Sequence, residues 1–379
     1  MNILLIIPCN TGTIASVSHN LYLGLRKQAG VKVYTACLGE YEDSGYQFED
    51  IFKLGQGKQG ILSKLKSRIF KLRKIKKENN VHLSIATLLG CIYWDVLSSF
   101  KEKKIGVFHT RLSQMRYQGL IYYWLHLLAN MFLIPRLDKM IAVNKSAFLD
   151  LKHRHKKAHH IELVYNIHNF EKIQHLASIV IENNAERELF QGHVILYVGN
   201  LYYHLKGTDR LIKAFAKVVK IHPDYKLVII GGDPDGSLVK LKKAANQFGA
   251  SNSIFFLGRK NNPYQYMKLA EMLVSPSRDE GLPGVIIESL SLDTKVVATN
   301  SSIGVWEIMQ CDERFDDNLN EVQETEFGFI TPNKLDDDDA TVNFLAQGID
   351  RCIGKTFNIR EKFDKNRFSE DCIITHFIL

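Results

Sequence analysis

The sequence has no C-x2-C pair: its six cysteines, Cys9, Cys37, Cys91, Cys311, Cys352 and Cys372, are scattered over 379 residues. That spacing excludes a zinc ribbon or a dense disulfide framework and fits free thiols in a reducing compartment, the cytoplasm. Also missing is an apolar run of the 18 or more residues a spanning helix needs. The longest run, residues 120–134 (LIYYWLHLLANMFLI), is broken by His126 and Asn130. The opening MNILLIIP has no basic region and no small-residue cleavage site, so it reads as a first β-strand and not as an export signal. No helix-turn-helix, zinc-finger or RNP signature occurs, which argues against nucleic acid as a partner. At 45% hydrophobic and 24% charged residues, disorder and collagen-like repeats are excluded as well.

What is present is an alternation of short apolar strands and helical patterns, long enough for two domains. Strand-like runs at 2–7, 31–36, 81–87, 105–109, 140–144 and 161–166 are separated by helical stretches such as 16–28 and 93–101. The pattern restarts at 193–200 after the polar stretch 181–191, and strands follow at 227–232, 253–258, 272–277 and 295–300. Continuous apolar strands alternating with helices imply parallel sheets covered on both faces. The expected architecture is α/β: a doubly wound domain over 1–180, a second over 181–360, and a helix over 361–379 crossing back to the first. Ligands of such sheets bind beyond the carboxyl ends of the strands, so an interdomain cleft is the expected site.

The net charge of +8 is local. Residues 53–77 hold ten Lys or Arg and no acid, and without them the chain sums to −2. Ile61, Leu65, Ile69 and Leu72 share one helical face, with Leu62 and Phe70 at its margin. Two readings stay open: a helix packed on its own domain, or a basic amphipathic helix over 61–77 that rests on an anionic membrane through Lys64, Arg68, Lys71 and Lys74.

Two strand–loop–helix segments carry chemistry. In residues 275–289 (SPSRDEGLPGVIIES), Gly281, Pro283 and Gly284 let backbone approach a ligand, and the N–H groups opening the helix favour phosphate. Glu280 and Glu288 flank that turn; carboxylates there would repel a phosphate unless they address hydroxyls, which points to sugar or ribose. In residues 197–215, Lys206 precedes a helix start, where an ammonium neutralises a diphosphate.

Together these residues resemble the retaining nucleotide-sugar glycosyltransferases of family four, whose GT-B fold has two facing Rossmann-like domains. The resemblance is strongest over 194–309, and its most specific piece is the E-x7-E signature at Glu280 and Glu288. It implies that Glu280 lies by the donor sugar as a catalytic group, that Glu288 binds the ribose, and that the backbone of Leu282, Pro283, Gly284 and Val285 holds phosphate and sugar oxygens. Lys206-Gly207 matches the family's K-G, but Asn200 stands where an Arg is usual, with Arg210 or Arg259 as substitutes. Asp293 stands where a Gly is common. In the first half, His109 resembles a His near the reacting sugar, Gly12 is the candidate for close approach in the first loop, and 164–170 resembles the domain's closing segment, with His168 replacing an Asp.

The resemblance implies sugar transfer from a nucleoside diphosphate sugar to a saccharide hydroxyl, on a lipid-linked acceptor, with retention. With Lys206 and backbone donors neutralising the diphosphate, no metal or other cofactor is expected, and the scattered thiols with the basic segment point to a cytoplasmic protein peripheral on the inner face of the membrane. A nucleotide-sugar epimerase or a phosphorylase on the same fold, or a non-catalytic membrane-associated scaffold, are the rivals. Two motifs read as decoys for metal. His153, His155, His159, His160 and His168 lack carboxylate or thiol partners, and Asp233-Pro234-Asp235-Gly236 is turn chemistry. The run 336–339 is expected to cap the helix after it.

Overall fold

Strand-forming runs and amphipathic helices assemble two seven-stranded sheets. The computed structural model describes residues 1–55, 61–112, 120–156, 160–309 and 318–378. The chain forms two compact units: Met1–Asn169 with Asn366–Leu379, and Phe170–Lys365.

In the first unit β1 (Asn2–Ile7), β2 (Lys32–Cys37), β3 (Ile51–Lys53), β4 (Leu83–Ala86), β5 (Lys103–Phe108), β6 (Lys139–Ala142) and β7 (Ile161–Leu163) run parallel in the order β3-β2-β1-β4-β5-β6-β7. Ile3 to Ile7 of β1 are wholly buried, as a central strand requires. The order reverses between β1 and β4, and right-handed crossovers therefore put helices on opposite faces. One face packs under α1 (Gly12–Arg26), through Leu21 and Leu25. The other packs under α2 (Ile61–Glu78), α3 (Leu89–Leu97), α4 (Leu120–Phe132) and α5 (Lys145–Arg154), through Leu72, Ile75, Ile92, Val96, Ala129 and Leu151, with Ile134 entering just after α4.

The basic helix α2 divides its cations. Lys76, fully buried, donates to Asp95 Oδ1 at 2.6 Å and to Glu102 Oε1 at 2.8 Å, and Ser84 holds the other Asp95 oxygen at 2.9 Å. Burial pushes the Asp95 carboxyl upward against the pull of Lys76. Arg68 donates to the Leu38 carbonyl at 2.9 Å, with its guanidinium 5.6 Å from the Trp94 ring centre. These two cations therefore serve the unit's own packing, so that of the four basic residues named for a membrane contact Arg68 is engaged by the protein itself. Lys66, Lys71, Arg73, Lys74 and Lys77 are exposed; the side chains of residues 61–65, Lys64 among them, lie outside the described residues.

The second unit opens with α6 (Phe170–Ser178) and α7 (Asn184–Leu189). Its sheet contains β8 (Val194–Val198), β9 (Lys226–Ile230), β10 (Ile254–Gly258), β11 (Met272–Ser275), β12 (Lys295–Thr299), β13 (Gln323–Thr325) and β14 (Gly328–Thr331), in the order β10-β9-β8-β11-β12-β14-β13. All are parallel except β13, an antiparallel edge strand. Between them lie α8 (Thr208–Ile221), α9 (Ser237–Gln247), α10 (Tyr264–Leu269), α11 (Gly284–Ser291) and α12 (Ile303–Ile308), and after them α13 (Asp338–Cys352) and α14 (Ile359–Lys362). Helix α6 packs on α10 and α11, with Gln174 donating to the Ser291 carbonyl at 2.7 Å, so it goes with the second unit and the division falls at 169/170 instead of 180/181.

Residues 366–378 return to the first unit as short turns, with α15 (Glu370–Ile373) among them, and not as one long helix. Lys27, just after α1, pairs with Glu370 at 2.9 Å, and Ile373 and Phe377 enter the core beneath α1. Asp293 has φ of +66°, the left-handed region that glycine occupies at no steric cost, which explains why a glycine suits this turn.

Candidate active site at the carboxyl ends of the second sheet

The order of the second sheet reverses between β8 and β11, and the loops leaving those strands supply the charged groups. Lys206 follows β8 and Glu280 follows β11. Lys206 Nζ donates to Glu280 Oε1 at 2.7 Å, and Ser277 Oγ donates to the same oxygen at 2.7 Å. The two side chains are 29% and 15% exposed, sheltered but reachable by a ligand. Sequence reasoning assigned these residues separate duties; the structure joins them as an ion pair across the switch point of the sheet.

Backbone proximity makes that pairing possible. Gly207, at φ +65°, sits so close to the next loop that a Cβ would lie 2.0 Å from the Pro276 carbonyl oxygen. Only glycine fits there without moving backbone. Gly304 is equally constrained, since a Cβ there would lie 2.1 Å from the Gly281 carbonyl oxygen, to which Ser302 Oγ also donates at 3.1 Å.

Below the loops lies a network that sequence reasoning missed. Arg278 donates to both Asp209 oxygens at 3.0 and 2.8 Å and to Asp338 at 2.7 Å. Arg210, buried, donates through Nε to Asp338 at 2.7 Å and through Nη1 to Asn333 at 2.8 Å. Arg210 is thus spent on scaffolding, which removes it as a substitute for the missing arginine. Asp337 caps α13 through the Ala340 N–H at 2.9 Å, as expected of this acidic run, but Asp338 is a node of the network. Asn200 is exposed at the end of β8, its carbonyl accepting from Tyr197 Oη at 3.1 Å, and Arg259 is exposed just after β10.

Pro283 precedes α11 without a side-chain cap, and Gly284 and Val285 begin the helix after Leu282. The first turn of α11 carries no acid, so its N–H groups offer a partial positive charge. Glu288 lies farther along the same helix, where Tyr264 Oη donates to it at 3.4 Å. Burial pushes its carboxyl up to about 7. Tyr264 and Ser277 were not singled out from sequence; Ser277 sits within the 275–289 segment, whereas nothing local marked Tyr264.

The remaining candidates belong to the first unit. Gly12 is the first residue of α1, at φ +81° and exposed. Beside it the buried Asn10 fastens the loop, donating to the Glu42 carbonyl at 2.6 Å and accepting its N–H at 2.9 Å. His109 follows β5; its Nε2 is buried with no hydrogen-bond partner among the described residues, and burial pushes it down to about 4, so the ring is neutral. His168 is buried near Phe368, away from solvent, whereas His153 and His160 are exposed; His159 lies outside the described residues. Asp233 and Asp235 accept from Leu238 N–H at 3.1 Å and Ser237 Oγ at 2.5 Å, the turn chemistry expected of them.

Residues 181–316 match the family model for glycosyl transferases group 1, a segment that contains Lys206, Glu280 and Glu288. The chain is 30% identical over 188 residues to an uncharacterized glycosyltransferase of Methanocaldococcus jannaschii, covering 49% of this chain and 44% of the relative. It is 34% identical over 194 residues to the N-acetylgalactosamine-N,N'-diacetylbacillosaminyl-diphospho-undecaprenol 4-alpha-N-acetylgalactosaminyltransferase of Campylobacter jejuni, covering 49% of each. The chain thus spans about half the length of the curated relatives it matches. Among solved structures, Anabaena Alr3699/HepE in complex with UDP matches at TM-score 0.75 and 18% identity, covering 99% of this chain and 98% of the other. The apo lipopolysaccharide outer core galactosyltransferase WaaB matches at TM-score 0.71 and 15% identity, covering 100% and 98%. The fold is GT-B.

Proposed function

We propose that this protein is a retaining glycosyltransferase that moves a sugar from a nucleoside diphosphate sugar to a saccharide hydroxyl on a lipid-linked acceptor. The observation that carries the reading is the Lys206–Glu280 pair at 2.7 Å, at the switch point of the second sheet and inside the matched segment. In this reading the diphosphate takes Lys206 as its cation, together with the N–H groups opening α11, and Glu280 then turns to sugar hydroxyls. Glu288 accepts the ribose hydroxyls. The bond from the anomeric carbon to the phosphate oxygen breaks with its electron pair on that oxygen. The acceptor oxygen bonds to the anomeric carbon on the same face, and its proton passes to the departing phosphate oxygen. Stabilising that departing charge is the main contribution to catalysis, and it needs no metal.

In this reading the first unit serves the acceptor, with neutral His109 at the end of β5 and the loop at Gly12 as its candidate residues. The exposed lysines of residues 66–77 hold the protein to the inner face of an anionic membrane, where a lipid-linked acceptor resides. The test is transfer from a panel of nucleotide sugars to undecaprenyl-diphosphate-linked saccharides in the presence of EDTA, with the anomeric configuration read by NMR. Retained configuration with full activity supports the reading; inversion, or activity restored by manganese alone, overturns it.

A further inference from the structure

The two polar residues that interrupt the apolar run 120–134 do not face outward. Tyr93 Oη of α3 donates to Asn130 Oδ1 at 2.6 Å and lies 3.2 Å from His126 Nδ1, so both are turned toward the protein. The outward side of α4 is left apolar. Tyr123, Leu127 and Met131 form one ladder at i, i+4, and Trp124, Leu128 and Phe132 the next; all six are exposed, Trp124 and Phe132 at 56% each. The helix has no charged residue in its 13 positions. Six adjacent large apolar side chains on one helix face are more than the scattered exposure usual on a soluble surface.

The surroundings identify what covers this face. Helices α2, α3 and α4 lie on the same side of the first sheet, joined through one core and through Arg68 on Trp94. That side carries the exposed Lys66, Lys71, Arg73, Lys74 and Lys77, with Lys101 beside Phe100 and Arg136 just beyond α4. Phe70, 71% exposed, stands among the α2 cations. A second copy docked face to face would set these cations against their own kind, whereas an anionic bilayer matches both the charge and the apolar stripe. At about 1.5 Å per residue α4 is roughly 20 Å long, too short to span a hydrocarbon core of roughly 30 Å. Tyr and Trp are side chains that favour the boundary between headgroups and acyl chains.

We propose that α4 is an interfacial helix that lies in the plane of an anionic bilayer with Trp124, Leu128 and Phe132 in the acyl boundary, while the α2 lysines contact lipid headgroups. This deepens the lipid-linked acceptor reading by naming the element that enters the membrane, and it shifts the apolar contact from α2 to α4.

The test uses the full chain with vesicles of phosphatidylcholine containing 30% phosphatidylglycerol and no glycolipid. Flotation should recover the wild type, and the Trp124→Ser/Leu128→Ser/Phe132→Ser variant should bind at least tenfold more weakly with an unchanged far-UV spectrum. Because that variant alters three positions, a second measurement leaves the surface nearly intact: acyl-brominated phosphatidylcholine should quench the wild type, and Trp124→Phe should float equally well but lose most of the quenching. Failure of the wild type to float, equal binding by the triple variant, or unquenched Trp124 on bound protein would each overturn the proposal. So would a dimer by sedimentation that the triple substitution dissociates while vesicles bind neither protein. Nucleotide-sugar binding, followed separately by thermal shift, decides the transferase reading, so loss of one leaves the other standing.

Discussion

The two units share a plan, seven strands whose order reverses next to the first strand of each sheet, yet they use their charge in opposite ways. In the second unit charge gathers at the strand ends: Lys206 with Glu280, and Arg278 and Arg210 with Asp209 and Asp338. In the first unit the strand-end candidates are a neutral His109 and an exposed Gly12, while the charge sits at α2, partly buried as Lys76 with two carboxylates and partly displayed to solvent. One plan thus carries paired charges at the strand ends in one unit and a helix of partly buried, partly exposed cations in the other. The sheet sets where ligands approach; the side chains on loops and helices decide what approaches.

The largest expected effect breaks the first unit alone. Lys76→Met leaves Asp95 and Glu102 buried without a cation and should cost about 3–5 kcal/mol of stability, read by urea denaturation. A loss under about 1 kcal/mol would mean that the two carboxyl groups already share a proton and the cation matters little. Next, Lys206→Ala should lower turnover by about 100- to 1000-fold with little change in melting temperature, the loss that follows removal of one stabilising group from a developing anion. Glu288→Gln should weaken donor binding by about 1.5–3 kcal/mol in calorimetry while leaving α11 folded.

A smaller effect concerns pH. The Glu288 carboxyl is raised above its ordinary 4.5 to about 7, so the protonated form favours the fold: this contribution is complete below about 4.5 and is lost as pH rises through about 7. Donor hydroxyls favour the ionised form, so donor affinity should fall by about tenfold between pH 8 and pH 6, and Glu288→Gln should flatten the profile. His109, held near 4, stays neutral across that range and should add no slope. Smallest of all, Lys71→Gln on the exposed side of α2 should change stability by less than about 0.5 kcal/mol, in contrast to Lys76→Met five residues away.

Much of this contrast was legible in the sequence because local chemistry carried it. Continuous apolar runs revealed most of the strands, and the 197–215 and 275–289 segments located Lys206, Glu280 and Glu288. Short edge pieces escaped: β3 and β13 have three residues each and owe their existence to pairing with a neighbour, not to their own propensity. Partnerships between distant residues escaped for the same reason. Nothing near Arg210 announces Asp338, 128 positions away, and nothing in α2 separates Lys76 from its exposed neighbours except the acids that meet it in space. His126 and Asn130 read as interruptions of an apolar run; their hydrogen bonds to Tyr93 turn them inward and leave an unbroken stripe outside.

A nucleoside diphosphate sugar site at the carboxyl ends of β8 and β11 requires that donor binding depend on Lys206 and Glu288. Calorimetry of the wild type, Lys206→Ala and Glu288→Gln against UDP- and GDP-linked hexoses tests it most directly. One-to-one binding of at least one donor by the wild type in the presence of EDTA is expected, weakened at least tenfold by each substitution in a protein of unchanged fold. Equal affinity for all three proteins, or no binding of any donor by the wild type, would contradict it.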